Sequence, residues 1–271
     1  MAHALARGLG PSAFSDGLCE PFAGGASLYF ATRPSPALLG DINPSLIATY
    51  QALRDHPSEL GEALSGLTID VQTFAAMRSA CPSDAVSRAA RFIYLNRTAF
   101  GGLWRVNRRG EFNVPFGCKP GTRLPTRAEL EETSRELASA NLLCADFRAV
   151  LAESTARTVY FDPPYASATV ERERFVRYSD RVFSWPDQIV LADIAAEMVR
   201  AGHRVLVSNG YARDILDLYD PTVFKAYRIT RPTNFASSPV ARGPAHELFL
   251  LGKNTRLQRV PAGFEPIRRR I

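Results

Sequence analysis

The 271-residue sequence predicts an α/β fold: a doubly wound, mostly parallel sheet with an antiparallel closing strand, plus a mainly helical insertion that carries a β-hairpin. Three observations predict it. Short apolar runs alternate with segments of helical period along most of the chain. Three of those runs end on an aspartate, at Asp41, Asp146 and Asp162. The rhythm stops between Ser58 and Leu137 and then resumes. The chain therefore divides into a sheet domain over 1–56 and 140–271 and an inserted domain over 57–139.

The elements follow in order. Gly17 to Phe22 is short and apolar, then turns at Ala23-Gly24-Gly25 into the run Ala26 to Thr32, which reads strand, tight turn, helix. Ala37 to Gly40 is a second strand ending at Asp41, and Asn43 can cap a helix reaching about Asp55. Pro57-Ser58 breaks the pattern. Glu59 to Leu64, Val71 to Ser79 and Ser83 to about Leu95 read as helices. Trp104, Val106, Phe112, Val114 and Phe116 alternate around an Asn-Arg-Arg-Gly turn, which predicts a hairpin with a basic tip. Thr126 opens a helix over Arg127 to Ala138 through a Thr-x-x-Glu capping box. Leu142 to Cys144, Thr158 to Phe161 and Arg204 to Ser208 are strands, with an amphipathic helix over Pro186 to Ala201. Val223 to Ile229 and His246 to Leu251 form a closing antiparallel pair.

Composition excludes several classes. With 46% apolar residues the chain is neither disordered nor fibrous. No run approaches 18 apolar residues, so no membrane span is predicted. Cys19, Cys81, Cys118 and Cys144 lie far apart without a CxxC pair, which fits a reducing, cytoplasmic setting with unpaired thiols. The net charge of +6 is local. Arg97, Arg105, Arg108, Arg109, Lys119 and Arg123 face only Glu111 in one window. A second basic excess lies in the tail from Lys253 onward, which reads as a frayed, solvated end. A basic patch on a neutral body is the footprint of a polyanion-binding face.

The chemistry concentrates where the strands end, the place where ligands of open α/β sheets bind. Glycines after a first strand let the backbone approach a bound molecule, so Gly24 and Gly25 suit a cofactor turn, and Glu20 suits a ligand with a cationic amine. An ordinary strand–helix turn explains the same residues. The spacing is not GxGxxG, and no phosphate loop is present. Asp41 can accept hydrogen bonds from ribose hydroxyls or act as a helix cap near Asn43. Asp162-Pro163-Pro164-Tyr165 is the sharpest feature. Two prolines stiffen the backbone and fix the direction of the Pro163 carbonyl. One carboxylate, one fixed carbonyl and one aromatic ring suit a planar substrate bearing an –NH2 group.

These motifs, in this order, resemble the Dam-type DNA adenine-N6 methyltransferases, which have a Rossmann-like fold. The likeness runs along nearly the whole chain. Glu20-Pro21-Phe22-Ala23-Gly24-Gly25 is similar to their cofactor loop, Gly40 to Asn43 to their ribose-binding strand end, and Asp146-Phe147 to the pair that contacts the cofactor's adenine. Tyr94 to Arg97, Gly101 to Leu103, Arg105 to Asn107 and Gly110 to Gly117 resemble their DNA-reading hairpin, and Asp162 to Tyr165 their catalytic tetrapeptide. Ser208-Asn209 and Arg242 to Leu248 resemble later blocks.

The resemblance implies methyl transfer from S-adenosylmethionine to N6 of an adenine flipped out of double-stranded DNA, without a metal. Asp162, Pro163, Pro164 and Tyr165 would be catalytic, and Glu20, Phe22, Gly24, Gly25, Asp41, Asp146, Phe147 and Asp162 would bind the cofactor. Arg97, Arg105, Asn107, Arg108, Arg109, Lys119 and Arg123 would meet DNA, at a short site containing GA, with GATC as the family precedent. It also implies a cytoplasmic, nucleoid-associated enzyme with a restriction endonuclease as a partner. One departure stands out. The family begins with a Lys-Trp-x-Gly-Gly-Lys segment over the cofactor's methionine part, and Met1 to Leu9 looks like the helix that follows it, so a truncated start is expected. The rival readings are a methyltransferase acting on N4 of cytosine or on an amide, and a DNA-binding protein with an incomplete cofactor site. A nicotinamide-dependent oxidoreductase is disfavoured by the glycine spacing.

Overall fold

The computed structural model describes residues 1–107, 109–165, 183–231 and 245–269. The chain forms two compact units, Met1–Ile42 with Ala145–Ile271, and Asn43–Cys144. The first unit begins with α1 (Ala2–Leu9), β1 (Leu18–Glu20), α2 (Ser27–Thr32) and β2 (Ala37–Asp41). The second holds α3 (Pro44–Asp55), α4 (Pro57–Ser65), α5 (Val71–Ser79), α6 (Ala85–Thr98), α7 (Arg127–Leu137) and β3 (Ala140–Cys144). The chain then returns to the first unit through α8 (Phe147–Ala152), β4 (Thr158–Phe161), α9 (Trp185–Arg200), β5 (Arg204–Gly210) and α10 (Arg213–Leu218). It closes with β6 (Phe224–Arg231), β7 (Ala245–Gly252) and β8 (Phe264–Ile267).

The strands of the first unit lie in the order β2-β1-β4-β5-β7-β6-β8. The pairs β1/β2, β1/β4 and β4/β5 are parallel, while β5/β7, β7/β6 and β6/β8 are antiparallel. The fold is thus the mixed α/β sheet with antiparallel closing strands that the sequence predicts. Strands β1 and β4 are buried on both faces: Leu18, Cys19, Val159, Tyr160 and Phe161 are covered, as are the polar Glu20 and Thr158. That is the pattern of a central parallel strand covered on both sides.

The tail departs from expectation. Instead of fraying, it forms β8, which pairs with β6 in register Ala226↔Ile267 to Ile229↔Phe264. Phe264 is buried, with ring centroids 5.3 Å from Phe249 and 6.2 Å from Tyr227. Gln258 N–H donates to the Gly8 carbonyl at 2.8 Å, which ties the tail to α1. Burial of one aromatic ring and a strand ladder outweigh the solvation of the flanking arginines.

In the second unit α3 packs on α6 and α7, and α4 packs on α6 and α7. The caps are those the sequence announces. Asn43 Oδ1 accepts from Ser45 N, and Thr126 and Glu129 close a full capping box on α7. The hairpin is held by single antiparallel bridges, Val106↔Phe112 and Ala99↔Phe116, in place of a continuous ladder. Its apolar residues enter the core of the unit. Phe112 and Val114 are buried with Phe74, Tyr94 and Leu95, and the Trp104 ring stands 4.1 Å from Phe92 and 5.0 Å from Phe112.

Candidate active site

Strand order reverses between β1 and β4: from β1 the chain crosses to β2 on one side, while β4 flanks β1 on the other. A reversal of this kind opens a crevice at the carboxyl ends of the strands. A cavity of about 420 Å³ lies there. It is lined by Phe22 and Gly24 beyond β1, Asp41 at the end of β2, Asp146 and Phe147 at the start of α8, and Asp162, Pro163, Pro164 and Tyr165 beyond β4. Nine residues singled out from sequence therefore share one cavity. Pro21 and Ile42, from the same two motifs as Phe22 and Asp41, complete it with Phe183, which carried no sequence signal.

The glycine turn is laced to β2. Ala23 N–H donates to the Gly40 carbonyl at 2.7 Å, and Gly24 N–H donates to Asp41 Oδ2 at 3.1 Å. Gly24 adopts φ 48°, in the left-handed region that favours glycine. Gly40 is required for a different reason. A Cβ there would lie 2.4 Å from a Val150 methyl, so only glycine lets α8 close on β2. Asp146 caps α8 by accepting from Arg148 N at 3.0 Å. The Arg148 guanidinium sits 3.1 Å from both Asp146 oxygens and 4.4 Å over the Phe147 ring, and it also reaches Asp187. Arg148, helped by the Ser184 hydroxyl and N–H that donate to the same carboxylate, holds the Asp187 carboxyl down at about 2. Phe22, Phe147 and Phe183 form one aromatic wall, with centroids 5.3, 5.3 and 5.8 Å apart.

Glu20 and Gly25 stand apart from the lining. Glu20 is buried at the end of β1, where Oε1 accepts from Tyr29 N at 2.6 Å and so holds the first turn of α2. Burial, with a smaller push from the charge of Asp162, raises its carboxyl to about 8 even though the Tyr29 N–H acts the other way. Under the tetrapeptide, the Tyr160 hydroxyl bonds Ser208 Oγ at 2.8 Å, and burial raises the phenol well above its ordinary range. Tyr165 itself is 38% exposed and lines the cavity.

The basic residues lie in the second unit. Arg108 falls outside the described residues. Arg97, Arg105, Arg109, Lys119 and Arg123 are exposed. Asn107 shapes the hairpin tip: its Oδ1 accepts from Arg109 N and Glu111 N, and its Nδ2 donates to Glu111. Arg105 leans on the Asn113 side chain and carbonyl. Arg123 forms a two-pronged pair with Glu129, which lowers that carboxyl. A cleft of about 840 Å³ in this unit is lined by Arg78, Arg88, Arg91, Arg109, Trp104 and Glu111, among others. The three arginines of α5 and α6 carried no sequence signal beyond their place on a helix. Among the described residues, no group of three His, Cys, Asp or Glu side chains could hold a metal, and no helix is long and apolar enough to cross a membrane.

The strand-end cavity thus brings carboxylates and aromatic rings together with the Asp-Pro-Pro-Tyr turn, the class of site in which an open α/β sheet binds its ligand. A family model described as D12 class N6 adenine-specific DNA methyltransferase matches residues 11–234. A type II methyltransferase of Lactococcus lactis subsp. cremoris, M1.LlaDCHI, is 32% identical over 242 residues, covering 85% of this chain and 84% of that protein. A DNA adenine methylase of Vibrio cholerae is 35% identical over 200 residues, covering 71% and 72%. The type II methyltransferase M.MjaIII of Methanocaldococcus jannaschii is 32% identical over 216 residues, covering 72% and 74%. The chain belongs to the D12 class of N6 adenine-specific DNA methyltransferases.

Proposed function

We propose that this chain methylates N6 of an adenine extruded from double-stranded DNA, with S-adenosylmethionine held in the strand-end cavity. The observation that carries this reading is the meeting of Asp162, Pro163, Pro164 and Tyr165 with Gly24, Asp41, Asp146 and Phe147 on one cavity. The residues fit the cofactor. Asp41 offers a carboxylate to ribose hydroxyls, and the Phe22–Phe147–Phe183 wall offers aromatic surface to a purine. Asp146 bounds the purine end, while Glu20 and Gly25 act from behind by shaping the turn. When bound, S-adenosylmethionine supplies an electrophilic methyl on its sulfonium.

The chain's own residues then do three things. Tyr165 stacks on the extruded base. Asp162 and the Pro163 carbonyl accept hydrogen bonds from the two N6 hydrogens, which draws the nitrogen lone pair out of conjugation, and one of these protons is given up as the N–C bond forms. Pro163 and Pro164 keep both acceptors fixed, so most of the rate comes from positioning. Extrusion is needed because N6 cannot be approached in line within the stack.

DNA is met by the hairpin, through Asn107, Arg108 and Arg109, with Arg97, Arg105 and Lys119 available to phosphates. The Arg123–Glu129 pair gives Arg123 a smaller share. A short site containing GA, such as GATC, follows from the family likeness. The relatives named type II methyltransferases support a restriction endonuclease partner, and a DNA substrate supports a cytoplasmic, nucleoid-associated enzyme. Incubation with labelled S-adenosylmethionine and unmethylated duplex DNA, followed by base analysis, tests the reading. Label on adenine N6 is expected. Label on cytosine, or DNA binding without cofactor binding, overturns it.

A further inference from the structure

We infer that Gln188 is a positioning residue for methyl transfer, acting through the backbone of the Asp162–Tyr165 turn. This rests on the catalytic reading of that turn. Gln188 lies in the first turns of α9 and is 2% exposed, and its neighbour Asn209 on β5 is fully buried. The Gln188 amide Nε2 donates to the Pro164 carbonyl at 3.4 Å, and Asn209 Nδ2 donates to Gln188 Oε1 at 3.0 Å. Asn209 Oδ1 in turn accepts from Gly210 N at 2.8 Å.

The orientation of both amides follows from this chain of bonds. A carbonyl only accepts, so the nitrogen of Gln188 must face Pro164 and its oxygen must face Asn209. The oxygen of Asn209 is taken by a backbone N–H, so its nitrogen is left to face Gln188. The sequence of donors runs one way, from the Gly210 N–H through two side chains to the Pro164 carbonyl.

The position of this contact gives it a function. Pro164 follows the carbonyl assigned to the target amine and precedes the stacking ring of Tyr165. Proline supplies no N–H, so neither Pro163 nor Pro164 can anchor the turn by donation. The turn is instead gripped from α9 at its Pro164 carbonyl. The preceding helix residue, Asp187, bonds Arg148, which holds Asp146 at the other end of the cavity. Two adjacent residues of one helical turn thus reach both ends of the site. Gln188 sets the place of the acceptor carbonyl and the ring without touching the base.

Two variants test this with labelled S-adenosylmethionine and unmethylated plasmid DNA. Gln188→Met keeps the length of the side chain and removes the donor. We expect kcat to fall about 10-fold or more, with KM for DNA and for cofactor within about 3-fold of wild type, because misplacement by less than an ångström costs rate before it costs binding. Gln188→Glu is read as the ratio of its kcat to that of wild type across pH, with Asp162, Glu20, Tyr160, Asp187 and Arg148 as the charged or ionisable neighbours present in both. A buried carboxyl donates to the Pro164 carbonyl while protonated and cannot once ionised, so the ratio is highest at acid pH and falls as pH rises.

A Gln188→Met kcat within twofold of wild type, or a flat Gln188→Glu ratio, overturns the inference. If Gln188→Met does not fold, the Gln188→Glu profile decides alone. Asp162→Ala separates the two levels of the argument. Turnover surviving in Asp162→Ala removes the catalytic reading itself, whereas loss in Asp162→Ala with a normal Gln188→Met removes only the role of Gln188.

Discussion

The carboxylates of the sheet unit and the arginines of the inserted unit are held in opposite ways. Asp41 and Asp162 sit where parallel strands stop, one residue beyond or at the end of buried backbone, and have little freedom. Arg97, Arg105 and Arg109 are long, exposed side chains on a helix end and a hairpin held by single bridges. A reacting amine needs acceptors fixed to fractions of an ångström, and strand ends provide that. A polyanion needs charge within reach of many phosphates, and long exposed side chains on a packed base suit that. The apolar side of the same hairpin, Phe112 and Val114, is as buried as the sheet core.

The largest test of this contrast is Asp162→Ala. Methyl transfer should fall by about 1,000-fold or more, while DNA affinity in a filter or fluorescence assay stays within a few-fold. Comparable losses in both would merge the two roles. Next, Arg108→Ala with Arg109→Ala should lower DNA affinity about 10-fold at moderate salt and reduce the slope of log affinity against log salt by about two. An unchanged slope would move the DNA face away from the hairpin tip.

A smaller effect concerns stability. The Glu20 carboxyl is raised to about 8 in the folded protein. Its contribution is therefore fully present below the unfolded carboxylate range and is lost as pH rises through about 8. Glu20→Gln keeps the acceptor for Tyr29 N–H and removes this loss. The denaturation midpoint of the variant should gain on wild type as pH rises from about 5 to about 9. A pH-independent difference would mean that Glu20 is ionised in place. Smallest of all, Arg123→Ala should leave the salt slope of DNA binding unchanged, since its charge is already met by Glu129. A slope reduced by about one would return Arg123 to the DNA face.

Much of the sheet was legible because its signals are local. Short apolar runs end on acids, Asn43 and Thr126 announce helices, and the two prolines after Asp162 stiffen a turn on their own. What escaped depends on partners distant in the chain. Phe183 joins the cavity beside Phe22 and Phe147, both far from it in the chain. β8 is one aromatic residue among arginines until β6 offers it a ladder. Glu20 looked like a ligand for a cationic amine, and only the fold reveals the helix turn that it holds. Gln188 has no motif around it, and its importance lies entirely in what α9 places opposite it.

The strand made from the tail has a consequence for how many copies can work side by side. Proteins that gather on a long polymer reach local concentrations far above those in free solution. An uncovered β6 would then present a row of open backbone donors and acceptors to every neighbour, a template for strand-by-strand polymerisation. By pairing that row with Phe264 to Ile267, the chain puts a four-residue strand at the edge instead, and Pro266 within it carries no N–H, so a crowded neighbour on DNA meets a shorter and poorer template.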